Sequence, residues 1–384
     1  MMRVLVDALP LLGEANIATY LRQLLLSLAA EDSLHEYRLF FRAFRKDTRA
    51  RIARLSADPR FIQFQTKIVR IPDRLLDWCW TERSLHLPLT EVWLGRPDLF
   101  LSTIYMTPVV KRTAVVMIAY DLIPLRFPQF YGDDLPLLMA RIRRSIERAA
   151  AIIAISERTK RDYVELLGAD PTRIHVIYPG VEARFSHKAE EGMQSLVLAR
   201  YGIRRPYLLY VGSLGPHKNV ETLVRVFRRL KQARRIPHQL VLCGQARWGR
   251  EVVEATEDLS HSGQCVVLDF IPGSDVPHLY HAADAFAFLS LYEGFGLPPL
   301  EAMACGVPVV VSNAGSLPEV VGDAGLQVPP TDDEAIQEAI YNVLTDADLR
   351  QELRQRGIRQ SSRFIWAASA RQTLKVFALA RSRP

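Results

Sequence analysis

The sequence has few cysteines and no long apolar run. Its four cysteines are Cys79, Cys243, Cys265 and Cys305 in a chain of 384 residues. Their spacing shows no pairs, which argues against a disulfide framework and favours reduced, buried thiols in a cytosolic protein. No segment approaches the roughly 18 apolar residues that predict a membrane-spanning helix. Residues 1–7 do not resemble a signal peptide, because Asp7 interrupts the apolar segment, and are predicted to form a strand.

Motifs of several enzyme classes are also missing. No G-x-S-x-G sequence occurs, so serine hydrolase chemistry has no support. Gly294 and Gly296 lack the third glycine of a dinucleotide fingerprint, which disfavours a nicotinamide oxidoreductase. The histidines form no metal-ligand cluster, and Asp346 and Asp348 are better explained by helix capping than by metal binding. We therefore expect neither a metal nor a cofactor.

Length and charge indicate a globular protein of two domains. A chain of 384 residues exceeds what one hydrophobic core usually holds. Residues 1–190 hold 28 Lys and Arg against 22 Asp and Glu, whereas residues 191–384 hold 21 against 20, so the net charge of +7 comes mainly from the first half. Nucleic acid is not expected as a partner, because no aromatic stacking platform or zinc-ligand spacing accompanies the basic residues.

The basic residues are densest between positions 42 and 54. One interpretation is a solvated helix face. The other is attraction to an anionic membrane surface or an anionic acceptor, since each basic residue near a membrane contributes about 1 kcal/mol. The second interpretation predicts a cytoplasmic protein that contacts the inner membrane surface peripherally.

Apolar segments typical of buried strands alternate with amphipathic helices in both halves. Strands are predicted at residues 3–8, 37–41, 99–103, 114–119, 151–156 and 174–178, and again at 207–211, 239–243, 266–270, 285–289 and 307–311. This alternation predicts two doubly wound α/β domains. The polar segment 181–205 is predicted to be an irregular linker, and residues 366–380 a final helix that packs on the body of the protein.

A glycine turn between two glutamates is the most distinctive segment. Glu293 precedes the turn and Glu301 follows it, in an otherwise apolar run. The residues between them are Gly294, Phe295, Gly296 and Leu297, whose N–H groups precede a helix predicted at 300–305, where Pro298 and Pro299 suit the first turn. A helix N-terminus can hold an anion or a sugar hydroxyl. Buried carboxylates need partners, and ligand hydroxyl groups would supply them.

A second glycine-bearing loop follows the strand predicted at 207–211. Gly212, Ser213 and Lys218 lie between this strand and the next helix, as in a phosphate cradle of backbone N–H groups and a cation. The loop does not match the G-x-x-x-x-G-K-[ST] phosphate loop, and a solvated loop lysine is the alternative. Gly13, in the loop after the first strand, is either a simple turn residue or a point of close approach to a ligand.

These motifs resemble the GT4 family of retaining glycosyltransferases. Residues 293–301 match the family's glutamate–seven residues–glutamate motif, and residues 210–219 look like its phosphate loop. Further matches lie at residues 120–124, 155–157, 316–320 and 364–366. The resemblance implies the α/β GT-B fold, with two Rossmann-like doubly wound domains facing a cleft and a C-terminal helix crossing back to the first domain. The implied domains are 1–185 with 366–384 for the acceptor, and 200–365 for the nucleotide sugar.

The resemblance also implies roles for individual residues. Lys218 would hold the donor diphosphate, Glu301 the ribose hydroxyls, and Glu293 the donor sugar. The N–H groups of Phe295, Gly296 and Leu297 would assist Glu293. Phe270 and Ile271 would flank the base, Gly13 would let its loop approach the diphosphate, and Asp121 and Tyr120 would lie near the donor sugar and the acceptor hydroxyl.

Two departures from the family pattern affect these roles. Tyr120 stands where the family commonly has histidine, and a phenol with a pKa near 10 is a poor base at neutral pH. Ser213 and His217 stand where many members carry arginine. Lys218 then becomes the main cation for the diphosphate, unless Arg247 or another side chain compensates.

The predicted activity is metal-independent retaining transfer of a hexose without a protein nucleophile. The phosphate loop resembles that of mannosyltransferases, so we expect transfer of mannose from GDP-mannose to a glycan or lipid-linked acceptor in cell-surface polysaccharide synthesis. The first alternative is a UDP-sugar donor. Others are a non-catalytic sugar-nucleotide-binding protein and a sugar-nucleotide epimerase of GT-B fold.

Overall fold

The computed structural model describes residues 1–13, 16–83, 90–188, 192–245, 250–269 and 271–382. Two compact units are present, each with its own sheet and core. The N-terminal unit comprises Met1–Gly180 together with Ile365–Pro384, and the C-terminal unit comprises Val181–Phe364.

Seven parallel strands form the sheet of the N-terminal unit. They are β1 (Arg3–Asp7), β2 (Glu36–Arg42), β3 (Gln65–Val69), β4 (Leu99–Ser102), β5 (Ala114–Ala119), β6 (Ala151–Ala154) and β7 (Ile174–Val176). Their order is β3-β2-β1-β4-β5-β6-β7. Every residue of β4 and β6 is buried, as expected where helices cover both faces of a parallel sheet.

The helices of the N-terminal unit include the last helix of the chain. They are α1 (Asn16–Glu31), α2 (Lys46–Ser56), α3 (Asp73–Leu76), α4 (Thr90–Trp93), α5 (Ile123–Arg126), α6 (Leu135–Arg148), α7 (Glu157–Leu167) and α17 (Trp366–Ser382). Short 3₁₀ helices span Leu9–Leu12, Pro128–Phe130, Gly132–Asp134 and Pro171–Arg173, and a π-helix spans Asp77–Glu82.

Specific contacts hold α17 in the N-terminal unit. It packs along α1, and the Ser369 hydroxyl donates to the Tyr178 carbonyl at 2.5 Å. At Gly180 a Cβ atom would lie only 2.2 Å from the Trp366 nitrogen, so a side chain at 180 would push the start of α17 away. An ion pair of 2.9 Å joins Arg371 to Glu31.

Six parallel strands form the sheet of the C-terminal unit. They are β8 (Tyr207–Val211), β9 (Gln239–Cys243), β10 (Cys265–Leu268), β11 (Ala285–Phe288), β12 (Val309–Ser312) and β13 (Gly325–Val328). Their order is β10-β9-β8-β11-β12-β13. The chain winds outward from β8 in one direction and from β11 in the other, so these two central strands flank the topological switch point, where ligands of such sheets bind.

Nine helices of the C-terminal unit lie in the part of the chain that the structure describes. They are α8 (Met193–Arg200), α9 (Val220–Ala233), α10 (Arg250–Ala255), α11 (Glu257–His261), α12 (Val276–Ala282), α13 (Leu297–Ala304), α14 (Leu317–Val321), α15 (Asp333–Thr345) and α16 (Ala347–Ser361), and a 3₁₀ helix spans Pro216–Lys218. Within the described ranges, none of the helices of either unit combines the length and the apolar character needed to cross a membrane.

The predicted two-domain α/β architecture is confirmed. The local corrections are two missed strands and one helix inside the segment predicted to be a linker. Two strands escaped prediction: β3 is an edge strand of mostly exposed, polar residues, and β13 is a short strand that begins with glycine. The segment 181–205 is not irregular throughout, because α8 forms within it and packs on α12. Capping at Asp346 is confirmed, since its carboxylate accepts from the Leu349 N–H at 2.9 Å.

Candidate active site

Lys218 and Glu293 form a buried ion pair at the switch point of the C-terminal sheet. Lys218 ends the 3₁₀ helix that follows β8, and Glu293 lies in the loop that follows β11. The lysine Nζ is 2.7 Å from Oε1 and 2.9 Å from Oε2 of the glutamate, and each residue is only 7% exposed. The structure thus joins a cation and a carboxylate that the sequence separates by 75 residues.

The backbone beside Lys218 is held from two sides. Asn219 adopts a left-handed conformation with φ of 57°, and its side-chain amide donates to the carbonyls of Leu289 and Pro330 at 3.1 and 2.8 Å. Asparagine tolerates this conformation better than most residues. The Leu291 N–H donates to the His217 carbonyl at 2.8 Å, which joins the loop after β8 to the loop after β11.

The backbone of Glu293 is held by a glycine and a serine that follow β12. Gly315 has φ of +62°, and a Cβ atom there would lie 2.5 Å from the Glu293 nitrogen. The N–H and hydroxyl groups of Ser316 each donate to the Glu293 carbonyl at 3.1 Å, and the hydroxyl also donates to the Phe295 carbonyl at 2.6 Å. The sequence match at 316–320 marked this segment without revealing its role.

His217 is neutral at pH 7. Its pKa is lowered to about 4, chiefly by burial and then by the Lys218 ammonium, with Glu293 partly opposing both. The histidine therefore does not replace the charge of the arginine common in the family. Arg247, the predicted compensating residue, lies outside the described residues.

Two glycines let the loops after β8 and β9 approach each other. Gly212 has φ of +154°, and a Cβ atom on it would meet the Tyr210 hydroxyl at 2.9 Å. That hydroxyl donates to the Ser213 carbonyl at 2.7 Å. A Cβ atom on Gly244 would lie 1.7 Å from the Gly212 carbonyl oxygen, so residue 244 must be glycine for the loop to keep this position. Sequence reasoning assigned no role to Gly244.

The glycine turn after Glu293 leads directly into α13. This helix begins at Leu297, three residues earlier than predicted, because Pro298 and Pro299 are themselves part of its first turn. Gly296 precedes it with φ of +108°. The two prolines lack N–H groups, so the first turn offers few donors. This end of the helix suits a hydroxyl better than a phosphate.

Glu301 lies one turn into α13, and its surroundings differ from those of Glu293. The Tyr280 hydroxyl donates to Oε2 at 3.2 Å. The pKa of Glu301 is raised to about 8, chiefly by burial, which Arg184 partly opposes and Glu182 reinforces. Arg184 is itself held by a hydrogen bond of 2.6 Å from Nη1 to the Gly273 carbonyl. Arg184 and Tyr280 were not predicted as site residues.

Two residues were expected to flank the nucleotide base, and the structure describes one of them. Ile271 is buried with 7% exposure and lies two residues before Gly273. Phe270 lies outside the described residues. The role of Ile271 stays a prediction.

Tyr120 and Asp121 lie at the end of β5 in the N-terminal unit. Tyr120 is 5% exposed, and burial raises the pKa of its phenol well above the ordinary value. The phenol therefore stays protonated at neutral pH and is no base. The Asp121 carboxylate accepts from the Ile123 N–H at 3.1 Å.

Gly13 shows no conformation that requires glycine. Its φ is −95° and its ψ is 178°, an extended geometry open to any residue, and its N–H donates to the Pro10 carbonyl at 2.8 Å. The predicted approach to a diphosphate stays a prediction.

A buried pair at the ends of β1 and β2 was missed by sequence reasoning. Asp7 and Arg42 are 0% and 4% exposed, with 3.7 Å between Oδ2 and Nη2. Burial raises the pKa of Asp7, and the Arg42 guanidinium partly opposes this. A polar residue at the last position of each strand was the available signal. In the described ranges, no three His, Cys, Asp or Glu side chains are grouped as metal ligands would be.

Two family models match the chain, one in each half. The model described as Glycosyltransferase Family 4 matches residues 17–185. The model described as Glycosyl transferases group 1 matches residues 200–360. Together they account for both units.

Named relatives and solved structures agree with these matches. The O-antigen chain mannosyltransferase B of Escherichia coli is 33% identical over 263 residues, which are 68% of this chain and 69% of the relative. The serotype-specific mannosyltransferase WbdA of Escherichia coli is 31% identical over 277 residues, which are 68% of this chain and 33% of WbdA, so the match spans only a third of that longer protein. The crystal structure of Anabaena HepE in complex with UDP-glucose has a TM-score of 0.74 at 18% identity, covering 98% of this chain and 100% of HepE.

Proposed function

This chain belongs to the GT4 family of glycosyltransferases, and from that membership we propose that it transfers mannose from GDP-mannose, with retention of configuration. The proposed acceptor is a glycan or lipid-linked saccharide in cell-surface polysaccharide synthesis, such as O-antigen. The observation that carries the proposal is the buried Lys218–Glu293 pair at the switch point of the C-terminal sheet. The mannosyltransferase relatives support the choice of sugar.

The pair supplies the two kinds of group that a nucleotide sugar needs. The Lys218 ammonium can neutralise charge on the diphosphate without a metal ion. The Glu293 carboxylate keeps lone pairs to accept hydrogen bonds from donor-sugar hydroxyls. Glu301 accepts from the ribose, and the N–H groups at Phe295 to Leu297 assist Glu293.

Transfer proceeds without a protein nucleophile. The bond between the anomeric carbon and the diphosphate oxygen breaks as the acceptor oxygen bonds to the same face. The leaving diphosphate takes the acceptor proton. The protein contributes positioning and stabilisation of the charge that develops on the leaving group. Asp121 and Tyr120 contact the donor sugar and the acceptor hydroxyl, with Tyr120 as a neutral hydrogen-bonding group.

The proposal assigns the nucleotide sugar to the C-terminal unit and the acceptor to the N-terminal unit. It places the protein in the cytoplasm, with peripheral contact to the inner membrane surface through the basic segment 42–54. A UDP-sugar donor is the second candidate. The neighbour HepE was crystallised with UDP-glucose, but at 18% identity that likeness supports the fold alone.

A panel of GDP-, UDP- and ADP-sugars in a thermal-unfolding assay tests the donor. A ligand present at 100 times its dissociation constant should stabilise the protein by about 2.7 kcal/mol. We expect GDP-mannose to raise the unfolding temperature most. The same shift should appear in EDTA, because donor binding is expected to need no metal ion. Slow release of free mannose without acceptor should accompany binding. A larger shift with a UDP-sugar rejects the GDP-mannose assignment, binding without any release favours a non-catalytic protein, and formation of a 2-epimer identifies an epimerase.

A further inference from the structure

Tyr105, in the loop that follows β4, has a backbone conformation that its residue type rarely adopts. Its φ is +61°, in the left-handed region. Glycine and asparagine enter this region readily, whereas a bulky side chain there is an outlier. Such residues cost stability and persist only where the surrounding structure holds them. The sequence motifs assigned no role to Tyr105.

Buried hydroxyl groups hold this loop in its conformation. The Thr107 hydroxyl lies 2.8 Å from the Ser102 hydroxyl on β4 and 2.7 Å from the Ser145 hydroxyl on α6. Ser145 also donates to the Tyr105 carbonyl at 3.0 Å. All three of these hydroxyl-bearing residues are at most 2% exposed. The conformation of residue 105 is therefore fixed by contacts that come from both β4 and α6.

The Tyr105 hydroxyl accepts two hydrogen bonds. One comes from the Tyr120 N–H at 3.3 Å, and the other comes from the Tyr163 hydroxyl on α7 at 3.2 Å. Tyr163 is fully buried, and Tyr105 packs against the core cluster that contains it. A hydroxyl oxygen has two lone pairs, so both are used here, and the proton of Tyr105 itself remains for donation.

The Asp121 carboxylate lies within electrostatic reach of this phenol. Burial raises the pKa of Tyr105 and the Asp121 carboxylate raises it further, while the hydrogen bonds from Tyr163 and Tyr120 partly oppose both. The pKa of Tyr131 is raised to about 12, chiefly by burial and then by the same carboxylate. Two protonated phenols therefore lie near Asp121, and a phenol O–H can donate to a carboxylate.

The backbone of Tyr120 is held from a second side. Its carbonyl accepts from the Thr159 hydroxyl on α7 at 2.9 Å. Thr159 is itself fixed, because its N–H donates to the Ser156 hydroxyl at 2.9 Å. Tyr105 thus binds the N–H of Tyr120 and Thr159 binds its carbonyl. Since Asp121 is the next residue, these two contacts determine the direction in which the chain presents it at the end of β5.

We propose that Tyr105 is a positioning residue for transfer. Its hydroxyl fixes the Tyr120 backbone and thereby directs Asp121 at the acceptor hydroxyl. This step rests on the proposed function, which places Asp121 at that hydroxyl. Orientation of a group beside the reacting atoms contributes strongly to rate. If Tyr105 served only the fold, removing its hydroxyl would change stability and leave turnover unaffected.

The Tyr105→Phe variant keeps the ring and removes the hydroxyl. We expect its kcat for mannose transfer to fall by about 10- to 100-fold, because a small misplacement of a group near the reacting atoms is costly. The dissociation constant of GDP-mannose should change by less than about twofold, since the donor is assigned to the C-terminal unit. Steady-state kinetics and calorimetry measure the two quantities. A kcat within about twofold of that of the unmodified protein overturns the proposal.

The Tyr37→Phe variant is the matched control. Tyr37 lies on β2 of the same unit, is 7% exposed, and donates from its hydroxyl to Asp32 Oδ2 at 2.5 Å. Loss of this hydrogen bond should also lower the unfolding temperature, while kcat should stay within about twofold of the unmodified value. Equal losses of kcat in the two variants indicate a general loss of stability and overturn the proposal.

Hydrogen exchange separates the positioning contact from the proposed function. Exchange at the Tyr120 amide, followed by mass spectrometry on the full chain, reports the hydrogen bond to Tyr105 without any substrate. Tyr105→Phe should accelerate this exchange at least about tenfold, and Tyr37→Phe should leave it unchanged. Unchanged exchange in Tyr105→Phe, with normal transfer by the unmodified protein, rejects the positioning contact and leaves the proposed function standing. Accelerated exchange in a protein that transfers no mannose rejects the proposed function and leaves the contact standing.

Discussion

At the scale of single residues, the pairing of Lys218 with Glu293 changes how both are understood. The sequence motifs assigned one to the diphosphate and the other to the sugar. The structure places their charged atoms 2.7 Å apart and largely out of water. Each side chain therefore determines the charge environment and position of the other, and substituting one affects the ligand groups assigned to both.

Substitutions at this pair should separate stability from catalysis. Lys218→Met or Glu293→Gln alone should lower the unfolding free energy, by about 3–5 kcal/mol where a buried charge loses its partner, and reduce kcat by about 10²-fold or more. The Lys218→Met/Glu293→Gln double variant should recover most of the stability without recovering transfer. Chemical unfolding and donor turnover measure the two effects. A Lys218→Met enzyme with unaltered turnover removes the diphosphate role.

Glu301 should make the stability of the protein depend on pH. Its pKa rises from 4.5 to about 8 on folding, chiefly through burial. The folded state holds the proton that the unfolded state releases, so this contribution is fully present below pH 4.5 and is lost as the pH rises through about 8. Relative to Glu301→Gln, the free energy of unfolding of the unmodified protein should fall by on the order of a few kcal/mol as the pH rises over that range.

Unfolding in urea from pH 5 to 8.5 measures this difference. Glu221→Gln, at an exposed position on α9, should keep the pH dependence of the unmodified protein. Parallel pH curves for the unmodified protein and Glu301→Gln would show that folding does not raise the pKa of the Glu301 carboxyl.

At the scale of elements, the site depends on how three loops meet at the ends of β8, β11 and β12. Sequence patterns predicted most strands, because buried parallel strands are continuous apolar runs. They missed β3, since the residues of an edge strand are largely exposed and its polar composition resembles a loop. They also missed α8, whose helix forms in a polar segment that packs on α12.

We expect a glycine at position 315 to be needed for two reasons. Its backbone is left-handed, and a side chain there would displace Glu293. Gly315→Ala puts a methyl group 2.5 Å from the Glu293 nitrogen and should lower kcat/KM at least about tenfold. Gly202 has a similar φ of +65° with nothing within 4 Å of its Cβ position, so Gly202→Ala should cost only about 1 kcal/mol of stability. Steady-state kinetics and thermal unfolding of both variants test this. Equal turnover in the two would show that contact with Glu293 is unimportant.

At the scale of the whole molecule, the sequence determined the class of fold and named the candidate residues of the donor site, whose roles stay predictions. Strand and helix periodicity is local, and the glutamate–glycine turn–glutamate segment and the loop before Lys218 are each contiguous, so a linear reading reveals them. The excess of basic residues in the first half was also visible, although composition alone favoured a solvated face and left an anionic ligand as the alternative.

Only the tertiary structure decided which of these residues act together. The Lys218–Glu293 pair, the support of Glu293 by Gly315 and Ser316, and the hydrogen bond from Tyr163 to Tyr105 all join segments far apart in the chain. Such contacts depend on strand order and loop approach, which leave no periodic signal in the sequence. Charge balance and burial follow from those contacts, and with them the neutral His217 and the raised pKa of Glu301.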